Sequence, residues 1–161
     1  MAFYQTVLAD RIVGAVASTS PGTGWTTVTD IQTLINNARA ANLPLYLKPG
    51  NYPTNKIDVV ASPGSTNPLR ICAVNGNATL SLNSSQPYLL NANGVNCEFE
   101  GIDFNGADIN LTDNSGQFVA ILRFSGSMTY NLKKCIVHSS PKTGIYATTS
   151  GKIRDSQFYN L

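Results

Sequence analysis

Three short stretches with almost no letters in common decide the fold: "FEGIDFN" (99–105), "LKKCIVH" (132–138) and "IRDSQFY" (153–159). Aligned, they begin with Phe99, Leu132 and Ile153, and the apolar residue five places on is Phe104, Val137 or Phe158. Between these stand Gly101, Lys134 or Asp155, followed by Ile102, Cys135 or Ser156. The pattern is a strand, a one-residue bend and a second strand. Side chains alternate across a strand, so the first, fourth and sixth places face inward, with the bend switching the phase. Gly and Asp suit a left-handed or bridging backbone, and Lys134 is a less natural occupant. The unit recurs from 99 to 132 and from 132 to 153, intervals inside the roughly 20–45 residues of stacked-repeat architectures. An antiparallel sandwich has no need to repeat a strand–bend–strand unit, whereas a solenoid buries each coil's inner face on the next. The unequal spacing places an insertion in one coil, near "ADINLTDNSG" (107–116).

Upstream, the one clear helix is "TDIQTLINNARAAN" (29–42). Thr29 and Gln32 stand in capping-box relation, and Ile31, Leu34, Ile35 and Ala38 form one apolar stripe. Asn42 and Pro44 end it, because the residue before a proline resists the α region. The expected helix spans 30–41. Beyond Pro44 the chain changes to short apolar runs separated by Pro-Gly, Asn-Gly and Ser-Gly turns. "LYL" leads through the turn "KPGNYP" to "KIDVV", and the runs continue to "KIRDSQFY". Residues 1–28 form a separate N-terminal segment. There Phe3, Tyr4, Val7, Leu8, Ile12, Ala15 and Val16 have near-helical spacing, which fits an amphipathic segment or a partly ordered tail. The solenoid occupies 29–161.

Composition narrows the function classes. Of 161 residues, 42% are hydrophobic and only 12% charged, so the surface is neutral and polar, rich in Asn, Ser and Thr. The net charge of +2 comes without a Lys/Arg run, which argues against a nucleic-acid groove. No apolar run is long enough to insert in a membrane. Asp10 and Arg11 interrupt any signal-peptide core. Cys72, Cys97 and Cys135 form no metal pattern and read as buried free thiols, a Cys72–Cys97 bridge being the rival. Asp103, Asp108 and Asp113 lack the spacing of a calcium loop and read as turn formers. No metal or cofactor is expected.

"IQTLINNARAANLPLYLKPGNY" (31–52), with Pro49, Gly50 and Tyr52 in P-G-x-Y, resembles the start of the pectate-lyase-like right-handed parallel β-helices. "LRICAVNGNATLSLNSSQPYLLNANGVNCEFEGIDFNG" (69–106) and "GIYATTSGKIRDSQF" (144–158) are similar to a narrower group, the twin-arginine-translocated, uncharacterised β-helix repeat proteins. The resemblance implies an all-β fold: a right-handed, single-stranded parallel β-helix capped by the N-terminal α-helix, with four to five coils. It also implies an extracellular or periplasmic module that binds a polysaccharide, and leaves open whether it processes it as a lyase or glycoside hydrolase. The alternative within the same resemblance is a non-catalytic structural β-helix, such as a phage tailspike or a fibre or adhesin subunit, located in a virion. Two departures weigh on it. The group's export signal is missing, and the chain stops at "FYNL" partway through a coil, which implies a C-terminal continuation or self-association over the open end.

Parallel stacking sets equivalent outward residues about 4.8 Å apart, and four columns follow. They are Glu100–Lys133–Arg154, Glu98–Asn131–Lys152, Asp103–Ile136–Gln157 and Asn105–His138–Tyr159. A carboxylate beside two cations is what a uronate lyase or a glycosidase assembles, and it is also what a solvated surface ladder looks like. The candidate carbohydrate-binding residues are therefore Glu100, Asp103, Lys133, His138, Arg154 and Tyr159. His138 becomes a general acid–base candidate only with a carboxylate partner. No complete catalytic motif of the superfamily is present. Tyr130, Tyr146 and Tyr159 are rings that either stack on sugars or face inward.

Overall fold

The computed structural model describes residues 16–18, 26–27, 31–61, 66–110, 119–140 and 142–161. In chain order they form β1 (Val16–Ser18), β2 (Thr26–Thr27), α1 (Ile31–Ala40), β3 (Leu45–Leu47), β4 (Gly50–Thr54), β5 (Ile57–Val60), β6 (Leu69–Ala73), β7 (Ala78–Leu82) and β8 (Tyr88–Asn93). There follow β9 (Cys97–Glu100), β10 (Ile102–Asn105), β11 (Ala120–Ser125), β12 (Thr129–Lys133), β13 (Ile136–His138), β14 (Ile145–Ala147), β15 (Ser150–Arg154) and β16 (Gln157–Tyr159).

From β3 onward every third strand pairs in parallel with its equivalent one coil away, while β1 pairs with both β2 and β3. The first sheet runs β15-β12-β9-β6-β3-β1-β2, the second β16-β13-β10-β7-β4 and the third β14-β11-β8-β5. This is a parallel β-helix. Its inward rows are those the repeats predict. Leu45, Ile71, Phe99, Leu132 and Ile153 stack in the first sheet. Tyr52, Leu80, Phe104, Val137 and Phe158 stack in the second. Val59, Ala92, Phe124 and Ala147 complete the triangle in the third. Phe99 meets Phe104 edge-on at 5.3 Å across the interior, joining two rows. Burial of such rows, at about 1.5–3 kcal/mol for each large side chain, is what fixes the coil.

The bend between first and second sheets is left-handed in all three repeats: φ is 70° at Gly101, 53° at Lys134 and 51° at Asp155. Lys134 thus adopts the conformation its position demands, against the preference of its side chain. The insertion falls where expected, since β10 and β11 are joined by 106–119 while β13 and β14 are joined by 139–144 alone. Most of the inserted residues lie outside the described set, as do Asp113, Thr29 of the capping box and the apolar pattern of the first fifteen residues.

The helix sits at one end of the stack, with Ile31, Ile35 and Ala38 buried and Leu34 packed at its margin. Asn42 takes φ 54°, and the Leu43 amide reaches back to the Ala38 carbonyl at 2.8 Å while that of Asn42 reaches Arg39 at 2.9 Å. These are the two reversed bonds of a Schellman cap, which Asn tolerates. The Gln32 amide docks on the Asp58 backbone, donating at 3.1 Å and accepting at 2.8 Å. Arg39 is buried and donates to the carbonyls of Asn67 and Val60. Helix and third sheet are thereby locked together.

Three strands differ from the sequence expectation. β1 and β2 lie in the segment 1–28 set apart above, yet they extend the first sheet beyond β3. Gly50–Thr54 reads as a turn because of Gly50 and Pro53, yet it is β4, at the edge of the second sheet. An edge strand tolerates a proline, because one side of its ladder has no partner to lose. Tyr52 points inward and ties its hydroxyl to the Lys48 carbonyl at 2.7 Å.

Candidate functional site

The strand register reproduces all four outward columns. Lys133 lies between Glu100 and Arg154, and Asn131 between Glu98 and Lys152. Ile136 lies between Asp103 and Gln157, and His138 between Asn105 and Tyr159. The six candidate residues fall into two groups flanking the left-handed bend: Glu100, Lys133 and Arg154 just before it, Asp103, His138 and Tyr159 just after it.

In the first group Lys133 Nζ lies 2.9 Å from Glu100 Oε1. That oxygen makes no directed hydrogen bond, so the contact is an ion pair rather than an aligned bond. Glu100 faces outward yet is only 7% exposed, which its strand parity did not foretell. It stands at the corner before the bend, beneath the Lys133 chain of the next coil. Arg154 continues the column on an exposed coil and is not part of the enclosed site.

Beside the ion pair is a shallow cavity of about 180 Å³ lined by Arg70, Glu98, Glu100, Asn131 and Lys133 over Cys72 and Phe99. Besides Glu100 Oε1, two buried polar atoms here have no hydrogen-bond partner, the donor Arg70 Nε and the acceptor Asn131 Oδ1. The rest of the Arg70 head is anchored, donating to the Asn42 carbonyl at 2.7 Å and side-chain oxygen at 2.8 Å. Arg70 was not among the sequence candidates, and the sign that it belongs here is its place in the Glu98–Asn131 column. Burial, with Glu100 and Glu98 nearby, pushes the Cys72 thiol up to about 12, so it is protonated at neutral pH and no nucleophile.

In the second group His138 Nε2 is 3.0 Å from Asp103 Oδ1, the contact being close but not a directed hydrogen bond. It runs diagonally, because Asp103 is registered with Ile136 and His138 with Asn105. Thr79 donates to the other Asp103 oxygen at 3.2 Å. The imidazole stacks on the Tyr159 ring at 4.9 Å, and its Nδ1 is 2.7 Å from Ser139 Oγ. His138 thus has the carboxylate partner that an acid–base role requires.

The aromatic residues divide. Tyr130 faces inward, stacked on Phe124 at 4.4 Å. Tyr146 stands outward, in line with Arg123. Tyr159 is exposed and stacks on His138. All three cysteines are free. A Cys72–Cys97 bridge is ruled out by register: Cys97 lies beside Leu69 in an inward row and Cys72 beside Glu100 in an outward one. Among the described residues no group of three His, Cys, Asp or Glu side chains is placed to hold a metal ion, and no helix is long and apolar enough to cross a membrane. No family model, curated protein or solved structure matches the chain.

Proposed function

We propose that this chain is an extracytoplasmic module that binds a polysaccharide along the outer face of its first two sheets. One observation carries the reading: the cavity is lined by an unpartnered donor, Arg70 Nε, and an unpartnered acceptor, Asn131 Oδ1, on alternate coils with Glu98 between them. Buried polar atoms without partners are uncommon and costly, about 1–3 kcal/mol each. A sugar presents hydroxyls that both donate and accept, and so suits both atoms once the Arg70 and Asn131 side chains turn toward the cavity. The cavity is smaller than the roughly 300–1,000 Å³ of pockets that engulf a ligand. It suits one unit of a polymer lying across the coils, with Lys133 and Glu100 beneath it and Tyr159 available as a stacking face. The neutral, Asn/Ser/Thr-rich surface and the resemblance to pectate-lyase-like β-helices support the same reading. Processing of the bound chain, as a lyase or a glycosidase, is its finer part and would draw on Glu98 and Glu100 as acid or base.

Titration of neutral and acidic glycans by array and calorimetry tests the proposal. Asn131→Leu is expected to weaken binding at least tenfold while leaving the unfolding midpoint within about 1 M urea of wild type. Silence across both glycan classes, or binding indifferent to Asn131, contradicts it. Release of new reducing ends or unsaturated uronate is the readout for processing.

A second reading, a structural tailspike or fibre element, is favoured by the last coil. There Ile153, Phe158 and Leu161 are 46%, 38% and 51% exposed at an open sheet edge, where the same rows are fully buried one coil earlier. A second copy seated on this face would cover them, and so would further coils of a longer chain. Sedimentation as a dimer or larger stack supports this reading, and a monomer at high concentration counts against it.

A further inference from the structure

We propose that Ser139, His138 and Asp103 form a nucleophilic relay that hydrolyses small carboxylic esters, an activity independent of the sugar-binding reading. The parts are a hydroxyl 2.7 Å from one imidazole nitrogen and a carboxylate 3.0 Å from the other. A hydroxyl and a base within reach are the core of an activated nucleophile, and the nearby carboxylate offsets the charge the base gains, although its contact is not an aligned hydrogen bond. The His138 and Asp103 side chains are 15% and 19% exposed, so the pair acts in a largely desolvated setting where charge stabilisation is stronger. Thr79 holds the far oxygen of Asp103, and Tyr159 holds the plane of the imidazole.

The backbone singles out Ser139. It sits at the corner between second and third sheets with φ 60°. The same corner is occupied in the next coil by Asn160, φ 52°, a residue type that suits a left-handed backbone, and in the preceding coil by Gly106, which is not left-handed. Serine there accepts strain and places a hydroxyl on the imidazole. Such outliers concentrate where geometry serves a reaction.

In the reaction, Ser139 Oγ attacks the ester carbonyl carbon and its proton passes to His138 Nδ1. Asp103 offsets the imidazolium charge. Collapse of the adduct breaks the ester C–O bond, and the alcohol leaves with the proton from His138. Water then attacks the acyl-serine, giving up a proton to His138, and the carboxylic acid departs as serine is restored. No oxidant, reductant or further reactant is needed.

The test uses the intact chain with p-nitrophenyl acetate as substrate and a fluorophosphonate as covalent probe. The wild type should hydrolyse the ester and carry the phosphonyl label on the peptide containing Ser139. Ser139→Gly removes the hydroxyl while relieving the left-handed backbone, so it should fold as well as wild type. It should lose the label and at least about 100-fold in rate, within the 10²–10⁴ contributed by general base catalysis. Asp103→Asn should lower the rate of label incorporation without abolishing it. An unlabelled wild type, a label elsewhere, or hydrolysis retained in Ser139→Gly (histidine acting alone) would overturn the proposal.

Discussion

Replacing Phe99 by alanine probes the interior row most severely. Phe99 is 2% exposed, stacked between Ile71 and Leu132, with Phe104 edge-on at 5.3 Å and Phe124 at 6.5 Å. Few neighbours are free to collapse into the space, so the cost is about 3–5 kcal/mol. Ile153 belongs to the same row but is 46% exposed, so only about half of a full burial of 1.5–3 kcal/mol is at stake there. Its alanine variant should lose about 1 kcal/mol. Urea titration followed by far-ultraviolet circular dichroism separates the two. With slopes of about 1–3 kcal/mol/M, Phe99→Ala should lower the midpoint by 1 M or more and Ile153→Ala by well under that. Because coils interact mainly with their neighbours, Ile153→Ala should also loosen the last coil ahead of the rest. Equal losses in the two variants would refute the row and its gradient of burial.

Burial pushes Cys72 and Cys97 up to about 12 and Cys135 up to about 11. The fold favours their neutral forms, so the stability they contribute is complete below the thiol's unfolded range, near 8.5, and is lost as pH rises through about 11–12. Native protein at pH 8 should therefore leave all three unreactive toward a disulfide reagent, and urea should expose all three; rapid native labelling would contradict this. Gly151 lies under the Tyr130 ring, which is pinned by Phe124, and an added Cβ would collide with it. Gly151→Ala should cost about 1–3 kcal/mol in thermal or urea unfolding, and a neutral result would mean that Tyr130 is not held inward.

Much of this molecule was legible in its letters because a solenoid asks few things of them. Inward places need volume, and Phe99, Leu132 and Ile153 declare it. The bend needs a permissive backbone, and Gly101 and Asp155 declare that, whereas Lys134 is there only because tertiary packing overrides its preference. Pro53 concealed β4, since a proline argues against a strand until its edge position is known. The columns were readable from parity alone, but parity speaks only of residues directly opposite one another. The Asp103–His138 contact is diagonal, and the burial of Glu100 comes from the corner at the bend. Neither is written in any single coil. Ser139 escaped notice because its left-handed backbone shows only in the fold, where Asn160 takes the same conformation on the next coil.

Paired cysteines along one outward column test the stacking most directly. Adjacent coils set equivalent residues about 4.8 Å apart and alternate coils about twice that, while a disulfide needs Cα atoms within about 7 Å. Asn131→Cys with Lys152→Cys should therefore close a bridge on mild oxidation of the folded chain, and so should Glu98→Cys with Asn131→Cys, whereas Glu98→Cys with Lys152→Cys should not. Bridging of the outer pair, or failure of both neighbouring pairs, would contradict a chain wound in parallel coils.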